Sequence, residues 1–443
     1  MYLKLKYENF SYTIVRVIPT QRSHVDFLHD LFDEFDDRPD QIDFWTFSTH
    51  LHQPIDLLVS PSARSQLFSQ LQQRHINFTL KPARTEKFIK SDTSFPQFRR
   101  WKRSKQGDFQ YLFDFNQFNS YGQIVSLLRR LERKFPEIVD EFAAQYPTYE
   151  GNLMHGIKIG KRKEKRSVSG RSEDYRPAIV IDAGIHAREW IAPATALYAI
   201  KLLLEGHRDD PKIRKYIESM DFYIMPVLNP DGYEYSRNND RYWRKNRNPN
   251  SGDNSFRHPK CVGVDLNRNF DFDFGGRGSS GKECSNSYKG TEPFSEAETR
   301  NVRALFDRIG RQRIKGYFAL HSYSQLLAYP YGNKRNNPSD DAAELKQLAK
   351  TAAQKLKSIY GTKYAVNTMA NYLYPAGGMA ADWAKHSVKV KYPYLIELRP
   401  KASGAEGFVL REDKIEPTGR ETFEAMKVIF DKIYNDNVRA IQR

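Results

Sequence analysis

The stretch Ala178-Ile-Val-Ile-Asp-Ala-Gly-Ile-His-Ala-Arg-Glu-Trp190 begins as an uninterrupted apolar run. Parallel strands buried on both faces read this way. Gly184 then breaks the strand, and His186 and Glu189 follow three residues apart, where a turn leads into the next helix. That spacing lets both side chains face one cation. Imidazole and carboxylate are ordinary zinc ligands, and a catalytic zinc takes three protein ligands and keeps one position open. A His-x-x-Glu alone is also an everyday surface or helix-start sequence, so a third ligand has to come from elsewhere in the chain.

Around this stretch, strand and helix patterns alternate. Ser120 is placed to cap a helix carrying Ile124, Leu127, Leu128 and Leu131. Strands are expected at 156–159, 178–182, 222–228, 316–320 and 394–398, and helices at 193–204, 342–359 and 418–434. Such alternation predicts a three-layer α/β/α sandwich with a mixed, mostly buried central sheet over residues 112–443. Residues 1–85 read as a unit of their own. Strands at 12–18, 42–47, 55–59 and 76–80 enclose a helix capped by Thr20 and another begun by Ser60-Pro61. The order β-α-β-β-α-β is ferredoxin-like α+β. Residues 86–111 lack a period and hold the basic cluster Arg99-Arg-Trp-Lys-Arg-Ser-Lys105. Between two folded units such a run is an exposed linker and a site for a trypsin-like protease.

The chain has 443 residues, enough for two domains, and a formal net charge of +16. That balance suits nucleic acid, heparin-like polymers or anionic surfaces. No RNP, zinc-finger or helix-turn-helix pattern accompanies it, and a basic secreted or digestive protein is the plainer reading. No apolar run reaches the ~20 residues that cross a bilayer, and Met1-Tyr-Leu-Lys-Leu-Lys-Tyr7 shows no signal-peptide core. Cys261 and Cys284 bracket a Gly-, Ser- and Asn-rich loop; one disulfide or two free thiols fit the count. Asn9 and Asn77 head glycosylation sequons, which agree weakly with secretion.

Open α/β sheets bind ligands beyond the carboxyl ends of their strands. Two more candidates stand there. His321 follows the 316–320 run, and Glu397 ends the 394–396 run. Read singly, His321 is an ordinary packed histidine, whereas a carboxylate at the end of an apolar strand needs a partner or a task. Arg244, Asn267 and Arg268 add groups that grip carboxylates. Together they give two imidazoles and a carboxylate for a metal, a spare carboxylate as base, and cations for an oxyanion and a terminal carboxylate.

With these residues assembled, the sequence resembles the zinc metallocarboxypeptidases of the carboxypeptidase A/B family, in proenzyme form. The resemblance runs over nearly the whole chain. It rests on Gly184-Ile-His-Ala-Arg-Glu-Trp190, Trp243-Arg-Lys245, Gly263-Val-Asp-Leu-Asn-Arg-Asn269, Leu320-His-Ser-Tyr-Ser-Gln325 and Ile396-Glu-Leu-Arg399, in the family's order. It implies one Zn²⁺ held by His186, Glu189 and His321, with Glu397 as general base and Arg244 at the oxyanion. Asn267 and Arg268 would hold the substrate's free C-terminus, and Tyr374 would close over it. Arg188, Ser322, Tyr323 and Phe408 would line subsites, and Asp265 would orient His186. Cys261 and Cys284 would match the family's disulfide. Residues 1–85 would be an inhibitory pro-domain, and the product a secreted, monomeric hydrolase of peptides and proteins.

A member kept only for binding would have lost a ligand or the base, and neither is lost. Departures lie elsewhere: Met379, Ala380 and Ala381 replace a more usual Ser- or Asp-bearing sequence, Pro400 and a longer loop precede Phe408, and the basic loop 161–176 is long. In the family, the position of Ala381 chooses the leaving side chain. An uncharged residue there implies aromatic or bulky aliphatic C-terminal residues, with Lys and Arg poor unless Asp382 turns inward.

Overall fold

The computed structural model describes residues 12–46, 50–82, 113–162, 176–249, 261–401 and 406–439. The basic cluster at 99–105, most of the 161–176 loop and the Asn9 sequon lie outside these residues; Asn77 is exposed.

The N-terminal unit runs β1 (Thr13–Val17), α1 (Arg22–Phe35), β2 (Ile42–Phe44), β3 (Ile55–Val59), α2 (Pro61–Gln73) and β4 (Phe78–Pro82). Its antiparallel sheet has the order β2-β3-β1-β4, the ferredoxin-like arrangement. Leu28, Leu31 and Phe35 of α1 and Leu67 and Leu71 of α2 meet Val15, Val17, Leu57 and Val59 in one core. Ser60 caps α2 by accepting from the Ala63 amide. Thr20 does not cap α1. Gln21 holds that position without a side-chain capping bond, and both Gln21 and Thr20 engage His24 instead. Ile76 turns into the core rather than opening the last strand, which starts at Phe78.

The larger unit contains α3 (Tyr121–Lys134), β5 (Val139–Ala143), β6 (His155–Ile159), β7 (Ala178–Ala183), α4 (Ile191–Asp209), α5 (Pro211–Ser219), β8 (Asp221–Met225) and α6 (Pro230–Asn238). It continues with α7 (Ala297–Ile309), β9 (Ile314–Ser324), β10 (Leu326–Ala328), α8 (Ala342–Tyr360), β11 (Ala365–Asn367), α9 (Met369–Tyr372), α10 (Ala380–His386), β12 (Tyr392–Lys401) and α11 (Ile415–Tyr434). Among the described residues the sheet has the order β11-β10-β12-β9-β7-β8-β6-β5. Its centre, β12-β9-β7-β8, is parallel, and β6 and β10 join antiparallel, so the sheet is mixed.

The layers follow from the pleat of β7. Ile179 and Ile181 enter the core under α3, α4, α8 and α11, while Ala178 and Val180 enter the one under α7 and α10. Ser120 forms a full capping box with Gln123, which starts α3 where the sequence places it. Strand β5 escapes a reading by periodicity because only Val139 of it is fully buried.

Candidate active site

Three parallel strands carry the site. Gly184, at a φ of 64°, turns the chain out of β7, so that His186 and Glu189 sit between that strand and α4. His321 and Glu397 lie within β9 and β12, not beyond them, and stand opposite each other in the parallel register. The sequence reading ended the first strand at 320, short of His321, because polar residues continue it to Ser324, whereas its strand at 394–398 already held Glu397.

His186, Glu189 and His321 are buried and offer ligand atoms that all lie within 4.8 Å of one another. The Nδ1 of His186 is 2.8 Å from Glu189 Oε1 and 3.2 Å from His321 Nδ1. The Nε2 of His186 faces away, 3.1 Å from Asp265 Oδ1. A carboxylate behind one ring nitrogen turns the other inward, as metal-binding histidines require. This donor set fits zinc, which takes nitrogen and carboxylate ligands.

Asp265 ties the cluster to the cations around it. Its Oδ2 accepts from Arg244 Nη2 at 2.8 Å, and its Oδ1 accepts from the Asn267 amide at 3.0 Å. Burial opposes its charge, but Arg244, Arg268 and His186 hold it well below the usual carboxylate range. The Asn267 side chain accepts from the Ala380 amide. Arg268 donates to the Gly278 carbonyl at 2.7 Å and lies 3.5 Å from the Tyr374 hydroxyl. Burial of Glu397 pushes its carboxyl up to about 8; His321 and Arg244 pull it down and Glu189 pushes it further up. A dication beside it favours the ionised form. Burial also opposes the charge of Glu189, but the two imidazoles overcome it and depress this carboxyl.

Three further expected site residues, Arg188, Tyr323 and Phe408, meet the N-terminal unit. Arg188 donates to Asp43, Tyr323 donates to Asp56 at 3.0 Å, and Phe408 packs on Trp45 with ring centres 5.2 Å apart. Arg16 grips Asp56 with two nitrogens, at 2.7 and 2.6 Å. Ser322 presents its backbone amide to Glu189. Trp45 and Thr46 line the same cleft as His186, Glu189, His321 and Glu397. Sequence reasoning missed Asp43, Trp45 and Asp56, because alternating strand residues carry no mark of what they touch across an interface.

Ala381 is buried but is not among the residues that line the cleft; its apolar walls are Met369, Leu373, Met379 and Leu395. Asp382 stays outside the cleft as well and accepts from the Gly332 amide at 2.8 Å. Cys261 and Cys284 are joined in a disulfide.

The family model described as zinc carboxypeptidase matches residues 124–425, and that described as carboxypeptidase activation peptide matches residues 15–82. Carboxypeptidase A4 of Mus musculus is 33% identical over 398 residues, 89% of this chain and 87% of that protein. Carboxypeptidase B of Astacus astacus is 40% identical over 318 residues, 71% and 97% of the two. The crystal structure of thrombin activatable fibrinolysis inhibitor superposes with a TM-score of 0.78 at 30% identity, covering 96% of this chain and 99% of that one. The His-Glu-His cluster, the cations that surround it and the ferredoxin-like unit laid across it thus have one account: this chain belongs to the zinc carboxypeptidases and is a metallocarboxypeptidase precursor with its activation peptide in place.

Proposed function

We propose that this zymogen, once cut, removes aromatic or bulky aliphatic residues from the C-termini of peptides and proteins. The lining of the cleft carries this reading. Met369, Leu373, Met379 and Leu395 form an apolar wall, and among the described residues Glu189 and Glu397 are its only carboxylates. A Lys or Arg side chain entering there would be desolvated without a partner, at a cost of several kcal/mol. Relatives named A and B both match this chain, so kinship alone does not choose between these classes.

Each side chain takes a role that its position supports. His186, Glu189 and His321 hold zinc, which when bound supplies Lewis acidity toward the scissile carbonyl. Arg268 and Asn267 grip the free C-terminal carboxylate, with Tyr374 closing over it. Glu397 accepts the proton of the attacking water and passes it to the leaving amine. Arg244, held in place by Asp265, faces the carbonyl oxygen as it gains charge. Arg188, Ser322, Tyr323 and Phe408 contact residues further back along the peptide.

Residues 1–85 act as the inhibitory pro-domain, 86–111 as the linker cut by a trypsin-like protease, and 112–443 as the catalytic domain. Trp45 and Thr46 stand in the cleft in the uncut chain, which supports latency. The Cys261–Cys284 disulfide supports a secreted, oxidising setting, and the active form works as a monomer. The test is limited trypsin digestion followed by kcat/KM on blocked dipeptides ending in Phe, Leu and Arg. A tenfold preference for Arg, about 1.4 kcal/mol of transition-state binding, would overturn the apolar reading.

A further inference from the structure

Gly332 and Met379 face each other behind the apolar end of the cleft. A Cβ built on Gly332 would lie 2.2 Å from the terminal methyl carbon of Met379 and 2.9 Å from Cβ of Met369. The thioether of Met379 therefore fills the hollow that the glycine leaves. Met379 lines the cleft, whereas Gly332, Ala380, Ala381 and Asp382 do not. The side chain of Met379 thus separates the open space from everything beneath it, including the Asp382 carboxylate that accepts from the Gly332 amide. In the uncut chain, with Trp45 and Thr46 among its lining, the whole cleft keeps about 40 Å³ of free volume.

We propose that Met379, rather than Ala381, is the floor that sets which apolar residue is removed. This rests on the apolar reading of the cleft. With its thioether already filling the hollow at Gly332, Met379 leaves less room at this end than a smaller residue would, which favours Leu or Met over Trp, because an oversized side chain forces its neighbours off their rotamers. One methylene in such a pocket changes rates by about 10–200-fold, so the depth controlled by a methionine side chain is ample for selection. Trp45 and Thr46 of the N-terminal unit line the same cleft and His50 lies 2.6 Å from the Asn371 carbonyl of α9, so the selectivity is read on the cut enzyme.

The experiment uses the trypsin-activated enzyme as wild type, Met379→Ala and Met379→Leu. It measures kcat/KM on matched blocked dipeptides ending in Leu, Trp and Lys, with zinc content as a check on folding. The wild type should favour Leu over Trp by at least tenfold. Met379→Ala should raise the Trp-to-Leu ratio at least threefold, mainly through KM for Leu and KM for Trp moving in opposite directions. Met379→Leu, which keeps the bulk, should leave the ratio within threefold of wild type. A ratio in Met379→Ala within threefold of wild type overturns the proposal. So does a wild type that takes Trp as well as Leu, a result that needs neither variant to fold. A wild type that prefers Lys to both marks failure of the apolar reading itself and is distinct from these.

Discussion

Arg188 and Asp43 meet at 2.7 Å, their side chains 2% and 7% exposed, from opposite sides of the boundary between the two units. Breaking a buried pair by removing one partner costs about 3–5 kcal/mol, because the other charge stays buried alone. Asp43→Ala should therefore loosen the pro-domain and give the uncut chain at least tenfold more activity on a small blocked dipeptide. The cut enzyme, which lacks residue 43, should be unaffected. An uncut variant as silent as the wild type would sink this reading of latency.

Glu397→Gln should bind zinc at one ion per chain and lose turnover by on the order of 10²-fold or more, the usual weight of a positioned base. Chelation of the wild type should abolish activity, and added Zn²⁺ should restore it. Full turnover in the zinc-loaded glutamine variant is the result that removes Glu397 from its role.

Asp265 touches both His186 and Arg244, and its replacement should act through each. Groups that orient metal-binding histidines are worth about 10–100-fold in affinity or activity. Asp265→Asn should weaken zinc binding by that order in a competition with a chromophoric chelator. At saturating zinc a further loss of kcat should persist, because Arg244 is no longer held. An unchanged zinc affinity would show that the contact does not orient the ring.

Glu298 supplies a pH test of stability away from the cleft. Burial, reinforced by Glu296, pushes its carboxyl up to about 8; its own backbone amide and Asn246 hold it back. A folded-state pKa above the unfolded value means that the folded chain holds the extra proton. The stability it brings is fully present below the unfolded pKa, about 4.5, and is lost as pH rises through about 8. Zinc-loaded Glu298→Gln should melt near the wild-type temperature at pH 5 and above it at pH 9. Parallel melting curves across that range would refute the assignment.

The fold was legible at the long central strands and the best-capped helices, but not at α7, although it buries Val302, Leu305, Phe306 and Ile309. Ile179, Val180 and Ile181 announce β7, and Ser120 with Gln123 announces α3. Nor was it legible at β5, where only Val139 is fully buried, or at β10 and β11, which span three residues each. His186 and Glu189 were readable because they are three residues apart. His321 and Glu397 needed the register of β9 and β12 to become neighbours, which no local pattern states. Ala381 shows the limit of counting along a loop. Its position is small and apolar as expected, but the side chain of Met379 reaches the cleft and Ala381 does not.

The disulfide loop has a bearing on timing. Asp36, at the end of α1, accepts from Ser280 at 2.7 Å and Ser285 at 2.5 Å, and Asp43 accepts from Asn286 at 2.8 Å. Ser280 lies inside the loop stapled by Cys261 and Cys284, and Ser285 and Asn286 follow its second cysteine directly. The seat of the pro-domain is thus part of the larger unit and stays intact when the linker is cut. A cut converts one molecule into two that still fit each other. Under the proposed activation by cutting, scission and awakening would then be separate events, the first set by the protease and the second by dilution. On this reading a crowded store of cleaved enzyme should stay quiet, and the same material spread into a larger volume should come alive with no further chemistry.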